Sequence, residues 1–407
     1  MAKNTLPLST PLTLAVVGAG PVGLALALLA AERLPHARIT LWDARDAEAD
    51  IHNDPRTLAL SLGSIQLLRR LQAWPADRAQ TIQTVHVSQT SATQGLVSKA
   101  AVMIHAKQEK LDMLGAVIRY GELISALQKR WFALVQQQPG RFFSRFGTPV
   151  SALLNLPHSV QVHAAESECF DWAVLAEGSV LAPKHDSVLT PANGQNPLRC
   201  AYQQTAWVGQ LELQNPHRGV AYECFGQDGP VAVLPLKDSS ERLAALVWCV
   251  KAAPDPIAEL NDSQRVQQLN SLLHAQMGPI RSISPLKHFP LGFMAYCSLT
   301  EGRTVRIGNA AQMLHPVAGQ GLNLGLRDAY ALVDKLRHRR PDEAVKQLEW
   351  QRGPDRWALL ATTDFLARSF AWQIPGAPTI RGLGLMALEG LPLLKSALAR
   401  HMMFGRR

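Results

Sequence analysis

With 407 residues, 47% apolar and 18% charged, the chain is long enough for a sizeable core divided between two structural domains, and too apolar to be disordered. A net charge of +9 admits an anionic cofactor or a membrane surface; without a run of five Lys/Arg or a zinc-finger spacing, no nucleic-acid partner is expected. The five cysteines, Cys169, Cys200, Cys224, Cys249 and Cys297, never fall as CxxC, which argues against a structural zinc or a disulfide framework.

Residues 12–17 form an apolar run of strand length, a glycine turn follows, and residues 22–34 have helical composition. Residues 38–43 (RITLWD) alternate as a second strand, completing a βαβ opening. The stretch 14–31 carries no charge and has the length of a signal peptide or short membrane span. Three glycines and a proline in its middle favour a buried strand, turn and helix instead, so no targeting segment is expected. Next come a helix over 64–74, a short β piece over 84–88 (TVHVS) and a helix over 121–135. Residues 159–164 and 171–176 read as strands, the second ending at Glu177-Gly178. From 201 to 250 the period switches to two. The runs 201–213, 219–225, 231–236 and 243–250, separated by Gly, Asp and Asn turns, predict antiparallel strands. Helical pattern returns at 256–277, a strand at 304–307 leads into a second glycine-rich turn, and a helix spans 321–336. The last forty residues read as helical and basic.

Gly18-Ala19-Gly20-Pro21-Val22-Gly23 is a GxGxxG between strand and helix. Gly18 makes the tight turn, Gly20 lets a pyrophosphate approach the backbone, and Gly23 lets helix and strand pack closely. Asp43 ends the second strand, where a carboxylate can bind ribose hydroxyls. This constellation specifies a dinucleotide and leaves FAD and NAD undistinguished.

The segment 306–325, RIGNAAQMLHPVAGQGLNLG, resembles the GD-x-A-H-x-x-x-P-x-x-G-Q-G-x-N signature of flavoprotein aromatic hydroxylases. Gly319, Gln320, Gly321, Leu322 and Asn323 place bare backbone N–H groups at a helix N-terminus, suited to a flavin edge that becomes anionic on reduction. Gln320 and Asn323 are expected to lie against the ring. Residues 54–61 resemble the family's R-x-x-A-L segment, with Arg56 near the cofactor. Residues 117–127 resemble a second arginine segment, with Arg119, although its first leucine comes one residue late. Asn309 replaces the signature aspartate and keeps a carbonyl acceptor; Glu177, before Gly178, replaces another aspartate and reaches one methylene further. Pro316 would stiffen the wall beside the reacting carbon. His315 is a candidate catalytic group with a structural role as the alternative, and no second ligand at metal spacing accompanies it, so no metal is expected.

Phrases at 84–88, 229–236, 246–249 and 308–328 extend the resemblance to the ubiquinone-biosynthesis hydroxylases, most nearly the 2-polyprenyl-6-methoxyphenol group, over almost the whole chain. The resemblance implies an α/β fold: a Rossmann-like FAD-binding domain (1–80, 115–182 and 301–365), an inserted antiparallel β-sheet substrate domain (81–114 and 183–300), and a helical basic segment (366–407). It implies FAD, NAD(P)H as reductant in a shared groove, and hydroxylation of a prenylated (methoxy)phenol with O₂. It also implies a cytoplasmic location, peripheral to the bacterial inner membrane, with other ubiquinone-biosynthesis proteins as partners. In the tail, Arg381, Lys395, Arg400, Arg406 and Arg407 outnumber Glu389, while Leu391, Leu394, Leu398 and Met402 recur at helical spacing. That pattern fits either a helix packed on the core or an interfacial helix whose Lys395, Arg406 and Arg407 face an anionic membrane. Two other functions remain open at this point: a flavin or nicotinamide dehydrogenase without oxygen transfer, and a non-catalytic prenyl-lipid-binding subunit.

Overall fold

The computed structural model describes residues 11–89, 101–178, 196–226, 228–273, 277–371 and 377–405. β1 (Thr13–Val17) leads into α1 (Pro21–Arg33) and back to β2 (Arg38–Asp43). β3 (Thr57–Ser61), α2 (Leu62–Arg70), β4 (Gln80–Ile82), β5 (Thr84–Gln89), β6 (Ala101–His105), β7 (Gly115–Arg119) and α3 (Tyr120–Gln137) follow. Then come β8 (Phe142–Phe146), β9 (Ala152–Asn155), β10 (Val160–His163), β11 (Ser167–Phe170) and β12 (Trp172–Leu175). The second half holds β13 (Leu198–Leu213), β14 (Val220–Phe225), β15 (Pro230–Pro235), β16 (Leu243–Lys251), α4 (Asp262–Leu272), β17 (Ile280–Ile283) and β18 (Lys287–Ala295). It ends with β19 (Thr300–Glu301), β20 (Thr304–Arg306), β21 (Gln312–Met313), α5 (Gln320–His338), α6 (Pro341–Ala371), α7 (Ala377–Gly390) and α8 (Pro392–Phe404).

A six-stranded sheet of order β19-β20-β12-β1-β2-β8 forms the nucleotide-binding layer. All its pairs are parallel except β19–β20. The uncharged run 14–31 is absorbed by β1 and α1. α1 packs on α3 and α5, so it is buried from Val22 to Ala31 on every side and reads as uniformly apolar instead of striped.

The second sheet runs β21-β18-β13-β16-β15-β14-β5-β6, with β17 also paired to β13. Its pairs are antiparallel with one exception: β14 lies parallel to β5, Val220 opposite Thr84. These strands come from distant parts of the chain, so no hairpin constrains their direction. One face of this sheet packs Trp207, Leu211, Leu246 and Trp248 around Ile257 and Leu269.

The helix expected over 256–277 contracts to α4. Asp255 instead holds the Ile257 and Ala258 amides in a turn, and Asn261 and Gln264 form a reciprocal capping box that sets the helix start. β18 (KHFPLGFMA) escapes a propensity reading because Pro290 and Gly292 interrupt it; pairing with β13 and β21 supplies what local preference lacks.

The C-terminal segment corrects one expectation. Lys395 does not face outward: it donates to the Met103 carbonyl and pairs with Glu389 at 3.0 Å. Arg400 pairs with Glu109 at 3.3 Å. Both cations answer carboxylates of the protein itself, because α7 and α8 pack on β6 and the turn after it. What α7 and α8 expose is apolar: Leu393 is 90% exposed, and Leu383, Met386, Leu391 and Leu394 about half. Arg406 and Arg407 lie outside the described residues. No single described helix is long and apolar enough to cross a membrane. Gly382–Gly390 and Pro392–Phe404, bent by 100°, reach that length and composition only as a pair.

Candidate active site

The first glycine turn is built from contacts that only glycine tolerates. Gly18 has φ +101°, and a Cβ there would sit 2.8 Å from the Glu177 amide. A Cβ on Gly23 would sit 1.9 Å from the Gly18 carbonyl oxygen. Gly20 differs: its backbone is ordinary (φ −74°, ψ −179°), and an added Cβ would meet nothing within 4 Å. The turn therefore faces open space at Gly20, directly before the unsatisfied N–H groups of α1, with Pro21 occupying the position that needs no donor. Such bare backbone before a helix N-terminus suits a phosphate.

Asp43 closes one side. Its Oδ2 accepts from the Ala19 amide at 2.6 Å and from Arg45 Nη2; its Oδ1 accepts from Arg45 N and Nε. The expected ribose carboxylate thus clamps the turn itself and shares its oxygens with Arg45, which also reaches the Ala19 carbonyl. Arg45, two residues past the strand end, went unread in the sequence; a charged residue just beyond the terminal acid was the available signal. Glu177 stands on the same rim, and Gly178 opens onto space. Burial, and then the Asp43 charge, push the Glu177 carboxyl above its ordinary value, so it is the group here most ready to hold a proton.

A second wall comes from β3 and β7, where Thr57 lies opposite Arg119. Arg56 pairs with Asp54 at 2.6 Å and stacks over the Tyr120 ring at 4.1 Å. Burial opposes the Asp54 charge, but hydrogen bonds from Arg56 outweigh it and hold that carboxyl below its usual range. The two candidate arginines differ in this respect: Arg56 already has a carboxylate, while the guanidinium of half-buried Arg119 makes no hydrogen bond or ion pair among the described residues.

The second glycine segment meets the first through α1. A Cβ on Gly325 would fall 2.7 Å from Val22 and 2.9 Å from Gly308, so α5, the 308–310 turn and α1 pack at their glycines. Asn309 is exposed beside that junction. Gly319 takes the left-handed conformation (φ +58°) that starts α5, and a Cβ on Gly321 would meet nothing within 4 Å. A second patch of bare backbone therefore faces open space, as a flavin edge requires, with Gln320 and Leu322 flanking it.

Asn323 behaves otherwise than expected. Its Oδ1 accepts from the Ser61 amide (2.9 Å) and Ser64 Oγ (2.7 Å), and its Nδ2 donates to the Ala59 and Gly319 carbonyls. Four partners use the whole capacity of an amide side chain. The Asn323 side chain locks α5 to β3 and has no hydrogen bond left to offer a ring.

His315, 1% exposed, is similarly committed. Nδ1 accepts from the Val317 amide (3.2 Å), which leaves Nε2–H to donate to Gln204 Oε1 on β13 (3.0 Å). Burial lowers its pKa to about 4, so it is neutral and has no free nitrogen for base chemistry. It anchors the turn that begins at Pro316 (φ −65°) beneath the second sheet. Tyr202 meets the His315 ring edge-on at 5.2 Å and donates to Asp364 on α6. Val317 packs with Phe225, Val87 and Leu366. Tyr202, Gln204 and this apolar cluster were invisible to motif reading because five separate segments contribute them: β13, β14, β5, α6 and the turn at Val317.

A family model described as an FAD binding domain matches residues 186–354. The chain is 28% identical over 403 residues to 3-demethoxyubiquinol 3-hydroxylase of Escherichia coli, spanning 95% of this chain and 96% of that one. It is 33% identical over 210 residues to ubiquinone hydroxylase UbiL of Rhodospirillum rubrum, spanning 50% of this chain and 48% of that one. Among solved structures, Klebsiella pneumoniae HpxO complexed with FAD and uric acid superposes with a TM-score of 0.69 at 14% identity, over 97% of each chain.

Proposed function

We propose, from the premise that this chain belongs to the FAD-dependent hydroxylases of ubiquinone biosynthesis, that it hydroxylates a prenylated (methoxy)phenol using NAD(P)H and O₂. The observation that carries this reading is a pair of bare-backbone patches, at Gly20 before α1 and at Gly321 in the first turn of α5, on two helices that pack against each other. A dinucleotide suits that pair of features: phosphates at the α1 N-terminus, a ring at the α5 N-terminus. Bound FAD supplies the hydride-accepting and oxygen-transferring chemistry.

In this reading the protein's own groups bind, orient and exclude water. Gly18, Gly20 and Gly23 shape the phosphate cradle, and Arg45, held by Asp43, borders it. Arg119 offers an uncommitted cation, Arg56 a paired one, Asn309 a carbonyl acceptor, and Glu177 with Gly178 the rim. Gly319, Gln320, Gly321 and Leu322 present the α5 N-terminus to the ring edge, where a developing negative charge is stabilised. Asn323 and His315 are positioning residues. Pro316 and the Val317–Phe225–Val87–Leu366 cluster form a dry wall against which an apolar ring can lie. The division into an FAD-binding domain (1–80, 115–182, 301–365), a substrate domain (81–114, 183–300) and a terminal segment (366–407) is part of the same proposal, supported by β5 and β6 joining the second sheet.

The exposed leucines of the α7–α8 elbow support peripheral attachment at the cytoplasmic face of a bacterial inner membrane, where a prenylated substrate resides. Because Lys395 and Arg400 are paired within the protein, attachment is by shallow apolar insertion in place of the charge-driven contact the sequence suggested.

The test is oxygen incorporation by purified protein from ¹⁸O₂ with NADH or NADPH and a short-chain prenylated methoxyphenol. One ¹⁸O atom per product ring is expected. Reductant consumption that yields only peroxide and unlabelled phenol, across a panel of such phenols, would leave a flavin oxidase and refute the hydroxylase.

A further inference from the structure

Two residues of β13 are out of step with the sheet. Against β18, Ala201 faces Gly292 and Gln204 faces Leu291, so Tyr202 and Gln203 are extra residues between neighbouring rungs. Gln203 takes a left-handed conformation (φ +54°), uncommon for a residue with a Cβ, and its carbonyl accepts from the Ala252 amide at 2.9 Å. Beyond the bulge the strand keeps regular register with β16, from Gln204 opposite Lys251 to Glu212 opposite Leu243. Bulges re-aim side chains. Here the residues on either side of Gln203 reach one ring: Gln204 Oε1 lies 3.0 Å from His315 Nε2, and the Tyr202 ring meets that of His315 at 5.2 Å and 82°. Tyr202 is itself fixed, its hydroxyl donating to Asp364 on α6 at 3.0 Å.

Gln204 is 4% exposed, and Leu291 opposite it and Ala206 two residues on belong to an apolar cluster with Cys249. An amide set there needs a partner, and the partner it has decides the state of the ring. Burial keeps His315 neutral, so one ring nitrogen carries a proton and the other does not. The Val317 amide is a donor and demands a bare Nδ1. The proton then sits on Nε2 and demands an acceptor, which orients the Gln204 amide with its oxygen toward the ring. In the other tautomer two donors would face each other at Val317. That residue opens the turn whose end, Gly319, bonds back to the Pro316 carbonyl and starts α5. Asn323 pins the turn on the β3 side through the Gly319 and Ala59 carbonyls; His315 pins it to the second sheet.

We propose that Gln204 is a positioning residue for the cofactor-facing turn: its amide oxygen selects the His315 tautomer that can hold the Val317 amide, and so ties the α5 N-terminus to β13 of the second sheet. The inference rests on the reading of that terminus as the flavin site. Space-filling is the competing role. A leucine would occupy nearly the same volume and leave Nε2–H without an acceptor, so Gln204→Leu separates the two roles. Gln204→Glu returns an oxygen to the same place.

The test reads the ring and the flavin separately in the full chain. Ring nitrogens are observed by ¹⁵N NMR on histidine-labelled protein, with His315→Gln locating the His315 signals. The midpoint potential of bound FAD is measured by dye equilibration, and melting temperature and FAD content confirm the fold of each variant. Wild type should show a bare Nδ1 and a protonated Nε2, with or without FAD. Gln204→Leu should lose that single tautomer. Its loosened α5 N-terminus should lower the preference for reduced over oxidised flavin about tenfold, a fall of about 30 mV for a two-electron couple. Gln204→Glu should restore the tautomer and most of the potential at mildly alkaline pH. A Gln204→Leu protein with tautomer and potential unchanged overturns the proposal, as does a Gln204→Glu protein no better than Gln204→Leu. A changed tautomer with an unchanged potential also overturns it, because the link then stops short of the turn. Neither readout uses oxygen transfer, so failure to hydroxylate refutes the assigned reaction without altering this result. A wild type that holds no FAD sinks the cofactor assignment, and the ring nitrogens of the apoprotein still report on Gln204.

Discussion

Gly20 and Gly23 lie three residues apart in one motif, yet they should fail for different reasons when substituted. Gly20 has φ −74° and ψ −179°, which any residue adopts, and its Cβ direction is empty to 4 Å. Gly20→Val should therefore leave the stability of the flavin-free protein within about 1 kcal/mol of wild type, with a slight gain from reduced unfolded-state entropy. The same side chain would fill the phosphate cradle. Losing two hydrogen bonds to a charged group, at about 1.5–3 kcal/mol each, weakens FAD binding by about 3–6 kcal/mol, or roughly two to four orders of magnitude. Gly23→Ala meets backbone instead: its Cβ would be 1.9 Å from the Gly18 oxygen, and the turn must open by more than about 1 Å to restore contact distance. That overpacking should cost about 1–3 kcal/mol or more in the flavin-free protein. The assay is urea unfolding of each apoprotein, followed by FAD titration monitored by flavin fluorescence. If Gly20→Val binds FAD like wild type, or its apoprotein is as destabilised as Gly23→Ala, the cradle is wrongly placed.

Two further outcomes follow from the buried histidine and the exposed elbow. His315 titrates at about 4 in the fold against 6.5 in the open chain, so between those values the unfolded state binds the extra proton. The stability it confers is complete above pH 6.5 and lost as pH falls toward 4, about 3 kcal/mol in all. His315→Gln, which can still accept from Val317 and donate to Gln204, should flatten the stability curve in that window when unfolding is measured by urea; an unchanged slope rules out His315 as its source. For the elbow, Leu393→Ser/Leu394→Ser should reduce sedimentation with vesicles several-fold, while raising salt should change wild-type binding little, since apolar insertion is unscreened. Salt-released binding that ignores both serines would return the membrane contact to charge.

How much of the site was readable varies by residue. Gly18 and Gly23 were legible from spacing alone, because a glycine required by a 2.8 Å or 1.9 Å approach leaves a fixed mark in the sequence whatever surrounds it. Asn323 was placed in the right motif, but the partners of its side chain were not legible. Its neighbours Ser61, Ser64 and Ala59 belong to β3 and α2, far away in the chain, and no local pattern records that they meet it. His315 posed the same problem: only Gln204 on β13 and the Val317 amide reveal that both nitrogens are taken. Lys395 shows the limit for charge. A lone lysine on an apolar helix looks solvated until Glu389 and the Met103 carbonyl are seen beside it.

The sequence by itself determined what depends on near neighbours: the βαβ opening, the two glycine turns, the period-two strands from 201 to 250 and the helical end. Each is written in steric demands or periodicities that act within about a dozen residues. Tertiary structure alone decided which groups remain free. Asp43 became a clamp, Arg119 stayed uncommitted, Arg56 did not, and in the basic tail Lys395 and Arg400 found carboxylates of the protein while the leucines faced out. The physical reason is that a polar side chain has a fixed hydrogen-bonding capacity, and burial obliges it to use that capacity on whatever the fold brings within 3 Å. Those partners come from anywhere in the chain, so availability for function is a property of the packed molecule.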